Sequence, residues 1–258
     1  RAVSVHPPID TRGSREERRH RVGGGLDPTR RDELGQFFTP SPLAGFLASM
    51  FEIQDAPSSL LDPGAGIGSL TAAFVERWSA TCSASLAVTA CEVDPSLHHE
   101  LDETLAECRR GGEVMSTLRN ENFIAWGAET LGGLRRSDHP GFDYIVMNPP
   151  YRKLSSRDGD RLNLRAVGIE APNLNAGFLA LGARLLAPGG QMVAITPRSF
   201  ANGPYFKSFR KDLLDRVGLR HIHVYDAHGE AFSDSRVLQE NVVFRVRRSG
   251  ARPAVKIT

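Results

Sequence analysis

Apolar and polar positions alternate along this chain in two different periods. Residues 42–54 carry Leu43, Phe46, Leu47, Met50 and Phe51 at helical spacing. Ser59-Leu60-Leu61-Asp62 is instead a short strand-like run that ends on a glycine cluster. From there the pattern predicts a helix over 70–79, a strand over 86–92 and a helix over 95–109 with proline in its first turn. Strands follow over 114–118 and 142–147, the second cut off by Pro149-Pro150. A helix over 173–186 stops at Pro188-Gly189-Gly190, and a strand over 191–196, a helix over 205–216 and strands over 221–225 and 242–246 complete the series. Regular alternation of strand and helix predicts an α/β fold with a doubly wound, mostly parallel, seven-stranded sheet. Only a loop joins the last two strands, which predicts an antiparallel strand at the sheet edge. Residues 1–25 have no hydrophobic period, and Leu154 to Ile169 gives only weak signals that read as a loop. The expected organisation is a flexible basic arm over 1–30 and one catalytic domain over 31–258.

Composition narrows this picture. With 258 residues, 40% of them hydrophobic, the chain can build one large core. A net charge of +2 does not mark a nucleic-acid binder, but its distribution is uneven. Seven arginines (Arg12, Arg15, Arg18, Arg19, Arg21, Arg30 and Arg31) crowd into residues 12–31. Such an arm can track a phosphate backbone, or be a solvated tail. Cys82, Cys91 and Cys108, an odd number with no CxxC spacing, argue against a disulfide framework or zinc site and suit a reduced, cytoplasmic protein. No apolar run reaches the ~18 residues of a membrane span. His221, His223 and His228 lie close in sequence with only loosely placed acids, and no metal is expected.

Two motifs carry chemistry. Asp62-Pro63-Gly64-Ala65-Gly66-Ile67-Gly68 joins a strand to a helix. Glycines there allow a tight turn and close approach of a ligand to the backbone. The spacing is GxGxG rather than the GxGxxG of dinucleotide sites, which suits S-adenosylmethionine, a ligand without pyrophosphate. Glu92, 24 residues after Gly68 at the next strand's end, is placed to accept hydrogen bonds from both ribose hydroxyls. The second motif, Asn148-Pro149-Pro150-Tyr151, directly follows the apolar strand Tyr144 to Met147. An aromatic amine is a poor nucleophile because its lone pair is delocalised. The Asn148 side-chain oxygen and the Pro149 carbonyl can accept hydrogen bonds from such an NH2 and favour a tetrahedral nitrogen, with the prolines holding both acceptors in place. Tyr151 offers a flat face to the base.

With these residues the chain resembles the amino-methyltransferases of DNA with the gamma motif order, similar to N6-adenine enzymes of restriction–modification systems of the BsuBI/PstI group. Asp62 to Gly68 resembles motif I, Glu92 motif II, Asn148 to Tyr151 motif IV, and Leu34 to Pro40 (LGQFFTP) motif X. The resemblance covers about residues 32–248 and implies a Rossmann-like methyltransferase fold. It also implies roles. Thr39 would hold the methionine end of S-adenosylmethionine; Asp62, Pro63, Gly64, Ala65, Gly66 and Gly68 would cradle it; and Asn122 and Phe123 would meet its adenine. The family usually has Asp at position 122, and the Asn122 oxygen can take over that hydrogen bond. Phe232 would stack on a flipped-out adenine opposite Tyr151. Arg152 and Lys153, just after the catalytic loop, are placed for the DNA backbone. The family carries a target-recognition domain after the catalytic one; it is absent from this chain, so a fragment is expected, with a separate specificity domain or cognate nuclease as partner. The rival readings are methylation of another NH2 (cytosine N4, ribosomal RNA guanine or protein glutamine) and a non-catalytic cofactor- or DNA-binding module of a defence complex.

Overall fold

A computed structural model describes residues 11–25, 38–110, 112–135, 141–201, 204–224, 241–249 and 254–258. Strands β1 (Ser58–Pro63), β2 (Leu86–Cys91), β3 (Val114–Arg119), β4 (Phe142–Met147), β5 (Leu186–Pro197), β6 (Gly218–Val224), β7 (Asn241–Arg247) and β8 (Lys256–Ile257) form one sheet, ordered β3-β2-β1-β4-β5-β7-β6-β8. β1 to β5 are mutually parallel. The antiparallel strand is β7, in the edge region but inserted between β5 and β6 rather than terminal. Its buried Val242, Val243, Phe244 and Val246 need cover on both faces and partners on both sides, which an end position would not supply. The sheet also has an eighth strand where seven were expected, because β8 is two residues long and too short to show a period.

The central strands β1, β2, β4, β5 and β7 are buried on both faces, so neighbouring residues feed different cores. Leu60, Tyr144, Val146, Val193 and Ile195 pack beneath helices α2 (Ser41–Ser49), α3 (Ser69–Thr81) and α4 (His98–Arg110). Leu61, Ile145, Met147, Met192 and Ala194 face α5 (Phe123–Leu131), α6 (Gly159–Ala166), α7 (Leu174–Leu185) and α8 (Lys207–Arg216). Pro95–Leu97 forms a single 3-10 turn before α4.

Three helices depart from the sequence pattern. α5 reads FIAWGAETL, apolar nearly throughout, and so shows no polar face; Asn122 caps it. α6 lies where a loop was expected, started by Asp158, whose side chain accepts from the Asp160 amide. Residues 11–25, expected as a flexible arm, form helix α1 (Thr11–Gly25). It has no apolar stripe because ion pairs hold it: Arg15 to Glu76 at 2.9 Å, Arg18 to Glu107 at 2.6 Å and Arg21 to Glu100 at 3.1 Å.

Strand order reverses between β1 and β4, and open α/β sheets bind ligands at such a switch point, outside the carboxyl ends of the strands. β1 and β4 pair in parallel with Leu60 opposite Tyr144 and Leu61 opposite Ile145. The glycine loop after β1 and the tetrapeptide after β4 therefore leave the sheet side by side.

Candidate active site

The glycine loop is fixed by its own backbone. The Gly64 and Ala65 amides both donate to the Cys91 carbonyl at 2.9 Å, tying the loop to the end of β2. Gly64, Gly66 and Gly68 have φ of +71°, +59° and +82°, which an L side chain adopts only under strain. Space is short as well. A Cβ on Gly68 would stand 2.9 Å from the Thr104 methyl, and one on Gly66 or Gly64 would stand 3.4 Å from the ring of Phe38 or Phe178. Phe178 in turn packs on Phe123, ring centres 4.8 Å apart. Phe38, Thr104 and Phe178 thus wall the loop. Nothing local in the sequence marks Thr104 or Phe178, because only the fold brings them to the glycines.

Glu92 is buried and bridges the loop. One oxygen accepts from the Gly66 amide at 2.8 Å and the other from the Asp94 amide at 2.8 Å. Burial raises its carboxyl above the usual range. Each carboxylate oxygen keeps acceptor capacity beyond the bond it makes here. Asp62 is fully buried, and one of its oxygens accepts from the Thr71 hydroxyl at 2.6 Å and the Thr71 amide at 3.1 Å. Burial, with the Glu92 charge nearby, pushes Asp62 up to about 7 against the pull of those bonds. Its other oxygen, Oδ1, is buried without a hydrogen-bond partner.

The tetrapeptide is held by side chains. The Asn148 amide nitrogen donates to the Thr39 hydroxyl at 3.2 Å, and the Tyr151 hydroxyl donates to the Asn148 oxygen at 3.2 Å. Thr39 and Pro149 are buried, whereas Asn148, Pro150 and Tyr151 are half-exposed. Burial of the Tyr151 hydroxyl raises its pKa, so it stays a neutral donor. Thr39, Asn148 and Tyr151 therefore form one hydrogen-bonded series beside the glycine loop.

Other predicted residues fare differently. Asn122 follows β3, and its oxygen accepts from the Ala125 amide at 3.0 Å as the cap of α5. The acceptor expected for a cofactor adenine is thus engaged in holding a helix start. Its amide nitrogen donates to Asp160 at 2.9 Å. Arg152, expected on a DNA backbone, is paired inside the protein with Asp158 at 2.6 Å and Asp160 at 3.0 Å, because α6 folds back beneath it. Lys153 is exposed, and its backbone bridges to Asn173. Phe232 lies outside the described residues. His221 and His223 both approach the Thr258 hydroxyl, at 3.0 and 2.9 Å. Among the described residues no group of three or more His, Cys, Asp or Glu is gathered for a metal, and no helix is long and apolar enough to cross a membrane.

Comparison with known proteins places this geometry. Residues 83–232, more than half of the chain, match the model of the Eco57I restriction-modification methylase. The chain is 40% identical over 232 residues to Type II methyltransferase M.BsuBI of Bacillus subtilis, covering 88% of this chain and 46% of that one. It is 38% identical to M.PstI of Providencia stuartii, covering 89% and 46%. The chain thus spans about half the length of these relatives. A tRNA1(Val) (adenine(37)-N6)-methyltransferase of Porphyromonas gingivalis is 30% identical over 62% of this chain and 58% of its own. Among solved structures, a type I restriction-modification methyltransferase subunit from Streptococcus thermophilus superposes with a TM-score of 0.64 at 22% identity, over 83% of this chain and 45% of that one, which shows a shared fold. S-adenosylmethionine is the methyl donor of methylases with this fold.

Proposed function

The chain belongs to the Eco57I restriction-modification methylase family, and from that premise we propose that it is the catalytic part of a DNA methyltransferase that transfers the methyl group of S-adenosylmethionine to N6 of a flipped-out adenine. The observation that carries this reading is the Thr39–Asn148–Tyr151 series at the switch point, one loop away from the Glu92-bridged glycine cradle.

The residues fit the cofactor. The unpartnered Asp62 Oδ1 is an acceptor for a buried cationic donor, such as the ammonium of a methionine tail. Glu92 accepts from the ribose hydroxyls with its remaining lone pairs, and Thr39 closes the methionine end. Phe178 and Phe123 offer apolar faces to the adenine. At the other loop, the Asn148 oxygen and the Pro149 carbonyl accept from the target NH2, and Tyr151 stacks on the base. Phe232 is proposed for its opposite face. S-adenosylmethionine, when bound, would supply the electrophilic methyl group, and the Asn148 and Pro149 acceptors would hold the target nitrogen towards it and stabilise the charge it gains, its proton passing to solvent after alkylation. Positioning carries most of the rate, so no strong base is required. Membership of a restriction-modification methylase family makes a cognate nuclease the proposed functional partner, and reading of the recognition sequence is proposed for the part of the relatives' length that this chain does not span.

A second reading has one observation in its favour: the tRNA relative acts, by its name, on an adenine N6 in RNA. Nucleoside mass spectrometry of DNA and RNA from cells expressing the gene, beside an Asn148→Ala version, separates the two. N6-methyladenine that appears in DNA with the natural sequence and is lost with the variant is the expected result. The same mark confined to RNA, or no mark at all, would overturn the DNA reading.

A further inference from the structure

The arginine-rich segment, open in composition to either a phosphate-tracking arm or a solvated tail, has a different use where it folds as α1. α1 lies across α4, and the two helices present complementary stripes. On α4, Glu100, Glu103, Thr104 and Glu107 share one face by helical spacing. Arg18 meets that face with its side chain only 11% exposed. Its guanidinium stands 2.6 Å from Glu107, 3.5 Å from Glu100 and 3.8 Å from Glu103. One of its nitrogens also donates to the Thr104 hydroxyl at 2.8 Å.

Thr104 connects this cluster to the glycine loop. Its hydroxyl lies 2.8 Å from the Ile67 carbonyl, in the middle of the loop, and 3.0 Å from the Glu100 carbonyl of its own helix. A hydroxyl has one proton to give. With Arg18 occupying its acceptor side, that proton is left to the two carbonyls. The Thr104 methyl meanwhile fills the space where a Cβ on Gly68 would be. α1 also reaches the opposite wall. Glu16, two residues before Arg18, accepts from the Ser41 amide at 3.1 Å and the Ser41 hydroxyl at 2.9 Å, at the first residue of α2 and two past Thr39.

We propose that α1 is an internal clamp on the cofactor cradle, in which Arg18 acts through Thr104 to fix the Ile67–Gly68 peptide and Glu16 fixes the Thr39 segment. Arg18, Thr104 and Glu16 are positioning residues: none of them needs to touch the reacting atoms. Ion pairs hold this clamp where a core would usually do so, and part of it is open to solvent. Cofactor affinity therefore falls with salt, independently of nucleic acid. The inference rests on the glycine loop being the cofactor cradle.

The test is calorimetric titration of the whole chain with S-adenosylhomocysteine at ~0.05 M and ~0.5 M NaCl, beside binding of a labelled DNA duplex. Loss of a charge-assisted hydrogen bond in the relay is expected to weaken nucleoside binding about tenfold for Arg18→Ala. Thr104→Val, which keeps the methyl and removes the hydroxyl, is expected to show a similar loss, and Thr104→Ser to restore binding. The Arg18→Ala/Thr104→Val double variant is expected to lose no more than either single one, because both break one series. High salt weakens the natural chain, and weakens the double variant less, because Arg15–Glu76 and Arg21–Glu100 remain to be screened. In turnover, KM for the cofactor rises in Arg18→Ala while kcat at saturation holds. Equal nucleoside affinity in Thr104→Val and Thr104→Ser, or nucleoside binding untouched by Arg18→Ala while DNA affinity falls, would overturn the clamp alone. A natural chain that fails to bind the nucleoside would instead overturn the cradle reading on which the clamp rests.

Discussion

Two loops leave the carboxyl edge of this sheet side by side, and they are held by opposite means. The glycine loop is tied by backbone amides to a strand end and to a buried carboxylate, with side chains packed within 3.4 Å of where its missing Cβ atoms would stand. The Asn148 loop is half-exposed, shaped by two prolines and held by side-chain hydrogen bonds of 3.2 Å at the long end of the normal range. A cradle for a ligand that is always the same can be built in advance. Under the proposed function, a site for a base that swings in from a duplex keeps its acceptors near the surface and tightens when the base arrives. The two loops should therefore fail differently when broken.

The largest difference is expected for Asn148→Ala. Removing a transition-state acceptor costs about 100- to 1000-fold in kcat. Asn148 is half-exposed, so S-adenosylhomocysteine affinity should stay within about twofold and the unfolding free energy within the ±0.5 kcal/mol typical of a surface change. Stopped turnover with intact nucleoside binding supports the division of labour. A matching loss of nucleoside binding would show that the two loops are one unit.

Gly68→Ala breaks the other loop. The added methyl meets the Thr104 methyl at 2.9 Å and sits at φ +82°. The backbone term alone is about 1–2 kcal/mol, and the contact adds to it. Here stability and nucleoside affinity should fall together, measured by thermal unfolding and calorimetry on the same preparation. An unchanged melting temperature would mean that the loop yields more readily than its packing implies.

The same contrast explains what was legible beforehand. Both motifs could be read because each has chemistry in a contiguous segment: φ > 0 at alternate residues demands glycine, and a locked acceptor pair demands Asn-Pro-Pro. The alternation of strands and helices was equally plain, since strands buried on both faces give short apolar runs. Thr104 and Asp160 were not legible, because their partners are 37 and 38 residues away and only packing brings them together. α5 hid because an apolar helix has no polar face to mark its period. α1 hid for the opposite reason: it has no apolar face, and its stabilising charges lie on other helices. The partners of Arg152 were not legible either, since only the fold brings the Asp158 and Asp160 carboxylates at the start of α6 to it.

Tyr151→Phe tests the slack in the catalytic loop. It keeps the stacking face and deletes the hydroxyl that now occupies the Asn148 oxygen. A neutral hydrogen bond of this length is worth about 1 kcal/mol, so kcat should change less than tenfold, whereas Tyr151→Ala also loses the base–ring stack, worth about 1–3 kcal/mol. If phenylalanine proves as damaging as alanine, the hydroxyl does more than orient Asn148.

The smallest effect is a proton. Asp62 is pushed up to about 7 in the fold from the ordinary aspartate value of 3.8, chiefly because it is buried. Its folded pKa is raised, so the native state binds more protons than the unfolded chain between about pH 4 and pH 7. The stability that this group confers is fully present below about pH 4 and is lost as pH rises to about 7. A cation placed against Asp62 Oδ1 lowers that pKa again. Cofactor binding near pH 6 should then release up to about one proton, and near pH 9 none. Calorimetry in two buffers of different ionisation enthalpy reads the number directly, with Asp62→Asn as the silent control. Proton release that persists in the variant would transfer it to Glu92, the other buried carboxylate raised by burial, and would move the cation's seat from the start of the glycine loop to the end of β2.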